Sequence, residues 1–225
     1  MDDNSGTFYA KDLHGLTTGP GATTCATARA LALVGDARAV IVVEGVSDQV
    51  ALETLAGRRG RSLEADGVVI LPLGGAHAIS RHLPALGPLG ANLRLGGLCD
   101  AGEAEIFRRA LVKAGLGTPR THEEMAQLGF FVCIQDLESE LVRAVGPARV
   151  EALLEAHGDL GAFRTLQKQA PWRTRELEAQ MRRFLGSGAR RKIRYAHLLV
   201  AAVELGCVPP PLEAALATGY PESGN

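Results

Sequence analysis

Three places in the chain set carboxylates directly behind short apolar runs. Glu44 follows Val40 to Val43, Asp100 follows the run that begins at Leu93, and Asp136, Glu138 and Glu140 follow Phe130 to Ile134. Apolar, β-branched runs bounded by turn formers read as strands buried on both faces. In a parallel sheet the carboxyl ends of the strands share one edge, where open α/β folds place their ligands, so these acids converge despite their separation in sequence. Two like charges at 4 Å repel by about 1–4 kcal/mol depending on the effective dielectric. Such a cluster therefore needs protons, basic partners or cations. Oxygen-only ligands suit Mg²⁺ or Mn²⁺. The histidines are scattered, no His-x-x-x-His or Cys-x-x-Cys pair occurs, and no zinc site is expected. Each acid taken singly reads first as a helix N-cap; it is the recurrence at three strand ends that favours a ligand site.

The elements that must position these acids follow from the pattern around them. Ala39 to Asp48 is the organising stretch: a buried strand, Glu44, a Gly45 turn, then Ser47 and Asp48 as caps of a helix with Val50, Ala51 and Leu55 facing the core. Ala22 to Val34 reads as a short helix before it. Val68 to Leu73 is a second strand with Pro72 near its end, Gly74-Gly75 a tight turn, and Ala76 to Leu86 a short helix. Leu93 to Asp100 is a third strand, followed by a helix over Glu103 to Ala114 with Ile106, Ala110, Leu111 and Ala114 on one face. Phe130 to Ile134 is the fourth strand. This alternation predicts an α/β fold, a mainly parallel four-stranded sheet flanked by helices, over residues 23–145. Residues 1–22 read as a flexible leader, 146–206 as a basic helical extension, and 207–225 as an extended tail with at most one short helix at Leu212 to Ala217. Within the extension, Pro171 is expected to start a helix on which Leu177, Met181, Phe184 and Leu185 share a face.

Composition narrows the function classes. With 46% hydrophobic residues over 225 positions the chain can bury a core, and a net charge of −1 excludes a globally basic nucleic-acid binder. Four widely spaced cysteines, two of them in strand-like runs, read as free thiols in a reducing cytoplasm. No run is long and apolar enough for a membrane span or a signal peptide, so a cytoplasmic, membrane-free protein is expected. Charge is nevertheless uneven: between Arg164 and Arg194 ten basic residues are opposed within the segment by Glu176 and Glu178 alone. Arg182, Arg183, Arg190, Arg191, Lys192 and Arg194 are the candidate nucleic-acid contacts, because basic groups opening a helix work against its dipole and gain more from phosphate. A solvated basic face is the alternative. Trp172 reads as a core residue, with base stacking as the other option.

The motifs carry a resemblance. Strand-Glu-Gly-x-x-Asp at Val40 to Asp48, strand-Leu-Gly-Gly at Ile70 to Gly75 and strand-Asp-x-Gly at Leu98 to Gly102 resemble a TOPRIM domain. Asp136-Leu137-Glu138-x-Glu140-Leu141 and the later basic helix make it most similar to the TOPRIM nuclease of the OLD (overcoming lysogenization defect) family. The resemblance covers roughly 39–141 well and the later helices loosely. It implies a metal site of Glu44, Asp48 and Asp100, with Asp136, Glu138 and Glu140 supplying acids for a second metal position. Position 102 departs from the pattern, being Gly where a second acid is expected, and Glu103, ahead of Glu105, is the candidate replacement. It also implies a basic residue reaching the active site from a late glycine-containing turn, with Lys192 first and Arg191 second. The implied activity is a Mg²⁺- or Mn²⁺-dependent DNA endonuclease with Glu44, Asp100 and Lys192 catalytic, using two cations about 3.5–4 Å apart. The ATPase half of full OLD enzymes has no counterpart in these residues, so ATP control would need a separate ATPase; a homodimer is left open. Other readings are a catalytically degenerate nucleic-acid-binding module, a phosphoryl transferase or hydrolase acting on RNA or nucleotides, and a small-molecule-binding α/β domain. No Tyr has an evident nucleophile setting beside the acids, although Tyr195 lies in the basic helix.

Overall fold

Four parallel strands form one sheet in the order β2-β1-β3-β4: β1 Ala39–Val43, β2 Val68–Pro72, β3 Arg94–Asp100 and β4 Phe130–Cys133. The structure, a computed structural model, describes residues 21–88 and 90–220. The leader expected over 1–22 thus lies almost wholly outside the described residues. Every residue of β1 is buried because the sheet is covered on both sides. Ala39, Ile41 and Val43 enter one core, and Val40 and Val42 enter the other. This two-sided burial is why the strand reads as an unbroken apolar run instead of alternating. Pro72 sits at the end of the edge strand β2, where its missing donor is tolerated.

The second core is closed by α1 Ala22–Leu33, α3 Ile79–Leu86, α4 Ala104–Lys113 and the short α5 His122–Gln127, the last unexpected from the sequence. Between β1 and β2 runs α2 Val46–Arg58. Its expected core positions Val50, Ala51 and Leu55 are buried, but its cap differs from expectation. Gly45 is the N-cap, and Asp48, inside the first turn, accepts the Gly45 N–H at 2.9 Å. The helix after β3 is likewise split: Ala101–Glu103 is a 3-10 turn and the α-helix begins at Ala104. Phe107, not Ile106, fills the core there.

After β4 come α6 Leu137–Val145, α7 Pro147–Ala156, α8 Leu160–Lys168, α9 Leu177–Leu185 and α10 Ala189–Ala202. Val150, Phe163, Met181, Tyr195 and Leu199 join the same core as Ile41, Leu52 and Leu98. The segment read as an extension therefore shares its apolar interior with the sheet. Pro171 does not open a helix: residues 171–175 form turns, α9 starts six residues later at Leu177, and Leu177 is 37% exposed, off the shared face. Arg58 at the end of α2 donates to the Val200 and Val203 carbonyls at 2.7 and 2.6 Å, satisfying the open carboxyl end of α10.

The tail carries the short helix allowed for at 212–217, but longer and packed on the sheet. Pro210–Thr218 is a helix, α11, packed on β1, β3, β4 and α2, with Leu212, Ala215 and Leu216 buried. Gly96 of β3 makes room for α11, since a methyl there would strike the Thr218 hydroxyl; at Gly97, on the other face of the strand, it would strike the Phe130 ring of β4. Strand glycines of this kind mark close approach of a neighbouring element.

Candidate active site

The chain passes from β1 to its neighbour β2 on one side, then returns to β3 on the other. A parallel sheet opens a crevice at such a reversal, beyond the carboxyl ends of the two central strands. Val43 is paired with Leu98, so Glu44 and Asp100 emerge side by side. The Glu44 carboxylate accepts the Asp100 N–H at 2.8 Å. The Glu44 carbonyl accepts the Gly74 and Gly75 N–H groups at 3.1 and 3.0 Å. Those two glycines hold φ of 77° and 118°, conformations that side chains resist, which is the local reason for Leu-Gly-Gly after β2. Asp100 in turn accepts the Leu137 N–H at 3.2 Å, and the Ala101 N–H donates to the Gln135 carbonyl at 3.0 Å. Gln135 adopts φ 73°, a left-handed turn on a non-glycine residue, and it ties the end of β4 to the end of β3. Nothing in the sequence marked Gln135 as a positioning residue.

Four acids and one lysine share this edge. Asp48 and Glu138 are only 7% and 8% exposed, and Lys192 Nζ lies 3.4 Å from Glu138 Oε1. Burial, with the charges of Asp48 and Glu103 adding to it, lifts Glu44 to about 7 against the hydrogen bond from Asp100. Burial and the neighbouring Glu44 and Asp48 lift Asp100 to about 8. Burial also raises Asp48 and Glu138, while Lys192 pulls each of them back. Lys192 itself loses by burial but is held protonated above its ordinary range by Glu138, Asp48 and Asp100. The carboxylates thus lack positive charge, and one ammonium supplies what they have.

The remaining expected site residues divide. Glu103, half-buried on the 3-10 turn after β3, is near enough for its charge to act on Glu44, while Glu105 is engaged with Arg108 at 2.6 Å on the surface. Asp136 is the N-cap of α6, accepting the Ser139 N–H at 2.9 Å, and its second oxygen is taken by Arg182. Glu140, expected at a second metal position, is instead structural: it accepts the Ile134 N–H at 2.7 Å and pairs with Arg143 at 3.1 Å. Arg191, the second candidate for the active-site cation, donates to Ser187 Oγ and the Ser187 carbonyl and lies 4.1 Å over the Phe184 ring, closing the end of α9. Arg194 pairs with Asp159, which also accepts the Tyr195 hydroxyl proton at 2.8 Å, so Tyr195 is a buried core residue and not a nucleophile. Arg183 lies 5.9 Å over the Trp172 ring, and Arg190 is exposed beside a groove of about 970 Å³ at the start of α10. The basic segment is thus partly neutralised by acids outside its own stretch of sequence.

Two hollows meet at Lys192. One of about 250 Å³ is lined by Glu44, Gly45, Ser47, Asp48 and Gly75; the other, about 520 Å³, by Asp100, Asp136, Glu138, Trp172, Arg175 and Arg182. Among the described residues no three His, Cys, Asp or Glu side chains stand close enough together to hold a metal ion as they are. The donor chemistry nevertheless suits a hard divalent cation: every candidate is a carboxylate oxygen, and the group is short of positive charge.

A parallel sheet with Glu44 and Asp100 at its switch point, an acidic α6 turn beyond them and a helical cover defines a TOPRIM-type α/β domain. Residues 37–94 match the family model described as "Overcoming lysogenization defect protein-like, TOPRIM domain". The fold is similar to that of the C-terminal region of the Xanthomonas campestris pv. campestris OLD protein. That structure has 22% identity and a TM-score of 0.63, the match covering 83% of this chain and 93% of that one. The C-terminal region of the Burkholderia pseudomallei OLD protein is similar at 18% identity and a TM-score of 0.60, over 81% of this chain and 97% of that one. No curated protein matches the chain. No helix among the described residues is long and apolar enough to cross a membrane.

Proposed function

We propose that this protein is a divalent-metal-dependent nuclease that cleaves DNA phosphodiester bonds. The observation that carries the reading is the meeting of Glu44, Asp48, Asp100 and Glu138 with Lys192 at the switch point of an OLD-like TOPRIM sheet. Glu44 and Asp100 would hold Mg²⁺ or Mn²⁺, with Glu103 taking the role for which Gly102 has no side chain. When bound, such ions activate a water and stabilise the leaving oxygen of a phosphodiester. The chain's own groups do the rest. Lys192, fastened to Glu138, presents a fixed ammonium against the charge that grows on the scissile phosphate. Asp48 and Glu138 keep it charged, and Arg183 and Arg190 give the flanking backbone positive walls. A second reading, a binding module without catalysis, is favoured by Gly102 alone.

Supercoiled plasmid incubated with wild type, Glu44→Ala and Asp100→Ala, in Mg²⁺, Mn²⁺ or EDTA, separates them. The expected result is nicked or linear product that needs metal and disappears in both variants. Plasmid retarded on a gel but left intact with every metal would overturn the nuclease reading and leave the binding module.

A further inference from the structure

We infer that the cleft beside the acids is a base pocket with Trp172 as its stacking face, so that the substrate offers an unstacked nucleotide: a single strand, a strand end or a junction in place of an intact duplex. This inference rests on the nuclease reading and sharpens its substrate class. Trp172 is the chain's single tryptophan and belongs to neither hydrophobic core. The core role expected for it from sequence is therefore not the one it has. It is half-buried on a turn between α8 and α9 and lines a cleft together with Asp100, Glu138 and Lys192. At about 520 Å³ the cleft falls within the roughly 300–1,000 Å³ of small-molecule sites.

The turn is built to stay in place. Gln180, 6% exposed, donates from one amide nitrogen to the carbonyls of Trp172 and Arg175 at 2.8 and 2.9 Å. Its amide oxygen accepts from Gln167 at 2.7 Å. The Trp172 backbone N–H donates to the Gln169 carbonyl at 2.9 Å. A buried polar side chain spent on fixing a surface turn is hard to account for by core packing, since the turn contributes little apolar burial. A platform held at a set distance from the acids accounts for it. The Arg183 guanidinium, 5.9 Å over the indole, and exposed Arg175 place positive charge at the cleft rim for the phosphates on either side of a stacked base. In a duplex both faces of each base are covered by its neighbours, so an indole can stack only on a base that has left the stack.

The single tryptophan makes the test direct. The full chain in EDTA is titrated with a short oligothymidylate and with a duplex of equal length, following intrinsic fluorescence, with end-label anisotropy reporting binding separately. The single strand should quench the tryptophan at concentrations where the duplex, though bound, does not. Trp172→Ala should weaken oligothymidylate binding by roughly 5- to 150-fold, the span of one base–aromatic stack, and Trp172→Phe should restore most of it. Equal quenching by both forms, or anisotropy change without quenching, would overturn the pocket while leaving metal-dependent plasmid cleavage intact. Quenching by the single strand with no cleavage under any metal would keep the pocket and remove the nuclease reading. Absence of binding by anisotropy would overturn the pocket, whatever plasmid cleavage shows.

Discussion

Two strand-to-helix crossovers on the same sheet edge use the same residues for different work. After β1, Glu44 and Asp48 sit with little positive charge beyond Lys192, and Glu44 is lifted to about 7. After β4, Asp136 caps α6 and is neutralised by Arg182, and Glu140 is fastened to the Ile134 N–H and to Arg143. Both stretches read as strand, acid, helix, and either fits a capping site or a ligand site. What separates them is whether a neighbouring arginine arrives, and the arginines come from α6 itself and from α9. Glu138, between Asp136 and Glu140, is the exception on the β4 side, because its partner is Lys192 from α10. An acid already satisfied by arginine has little left for a cation; an acid held protonated by burial has much.

The largest expected effect sharpens this contrast on the basic side. Lys192→Met should lower metal-dependent cleavage by about 100-fold or more, the cost of removing a preorganised charge from the reacting phosphate. Arg191→Met, one residue away, should change cleavage little and instead lower stability by about 1 kcal/mol through its lost bonds to Ser187. Comparing plasmid cleavage with urea unfolding midpoints for the two variants checks the split. A cleavage loss of equal size in Arg191→Met would break it.

Among the acids, Glu140→Ala should destabilise by about 1–3 kcal/mol, because the Ile134 N–H loses its acceptor. Asp100→Asn should leave stability unchanged or raise it, since a buried carboxyl crowded by Glu44 and Asp48 is removed. Thermal melting of the two variants reads the opposite signs directly, and a stabilised Glu140→Ala would dissolve the distinction between the crossovers.

The last contrast is a pH slope. Glu44 and Asp100 rise from ordinary values of 4.5 and 3.8 to about 7 and about 8. Their folded forms hold protons more tightly than the unfolded chain. The associated stability is therefore complete below the ordinary values and is lost as pH climbs through 7 and 8. Metal-free protein should lose melting temperature between about pH 5 and pH 8.5 more steeply than Glu44→Gln/Asp100→Asn does, and added Mg²⁺ should flatten the wild-type curve by binding the ionised acids. Parallel curves for wild type and double variant would refute the assigned shifts.

Much of the fold is legible because it rests on short-range pattern. Apolar runs at β1, β2, β3 and β4 and the glycine turns behind β1 and β2 follow from burial and backbone freedom, which each segment encodes locally. The same holds for Glu44 and Asp100, since a strand's last residue and its sheet edge follow once the strands are parallel; Lys192 is singled out from its basic neighbours by the resemblance, because its reach to Glu138 is a tertiary contact. Other assignments needed the tertiary structure. Trp172 misleads because an indole near a proline looks like core until the turn is seen pinned on the surface by Gln180. The short helix allowed for at 212–217 is longer than expected, because Pro210 and Pro211 fit its first turn and Gly96 leaves room for Thr218 against the sheet. The net charge of the basic segment misleads because Asp136, Glu138, Glu151 and Asp159 reach it from other helices and turns. Segment pattern determines which groups face the sheet edge, but which acid is free for a ligand depends on the distance of the nearest cation, and that is settled only when the helices pack.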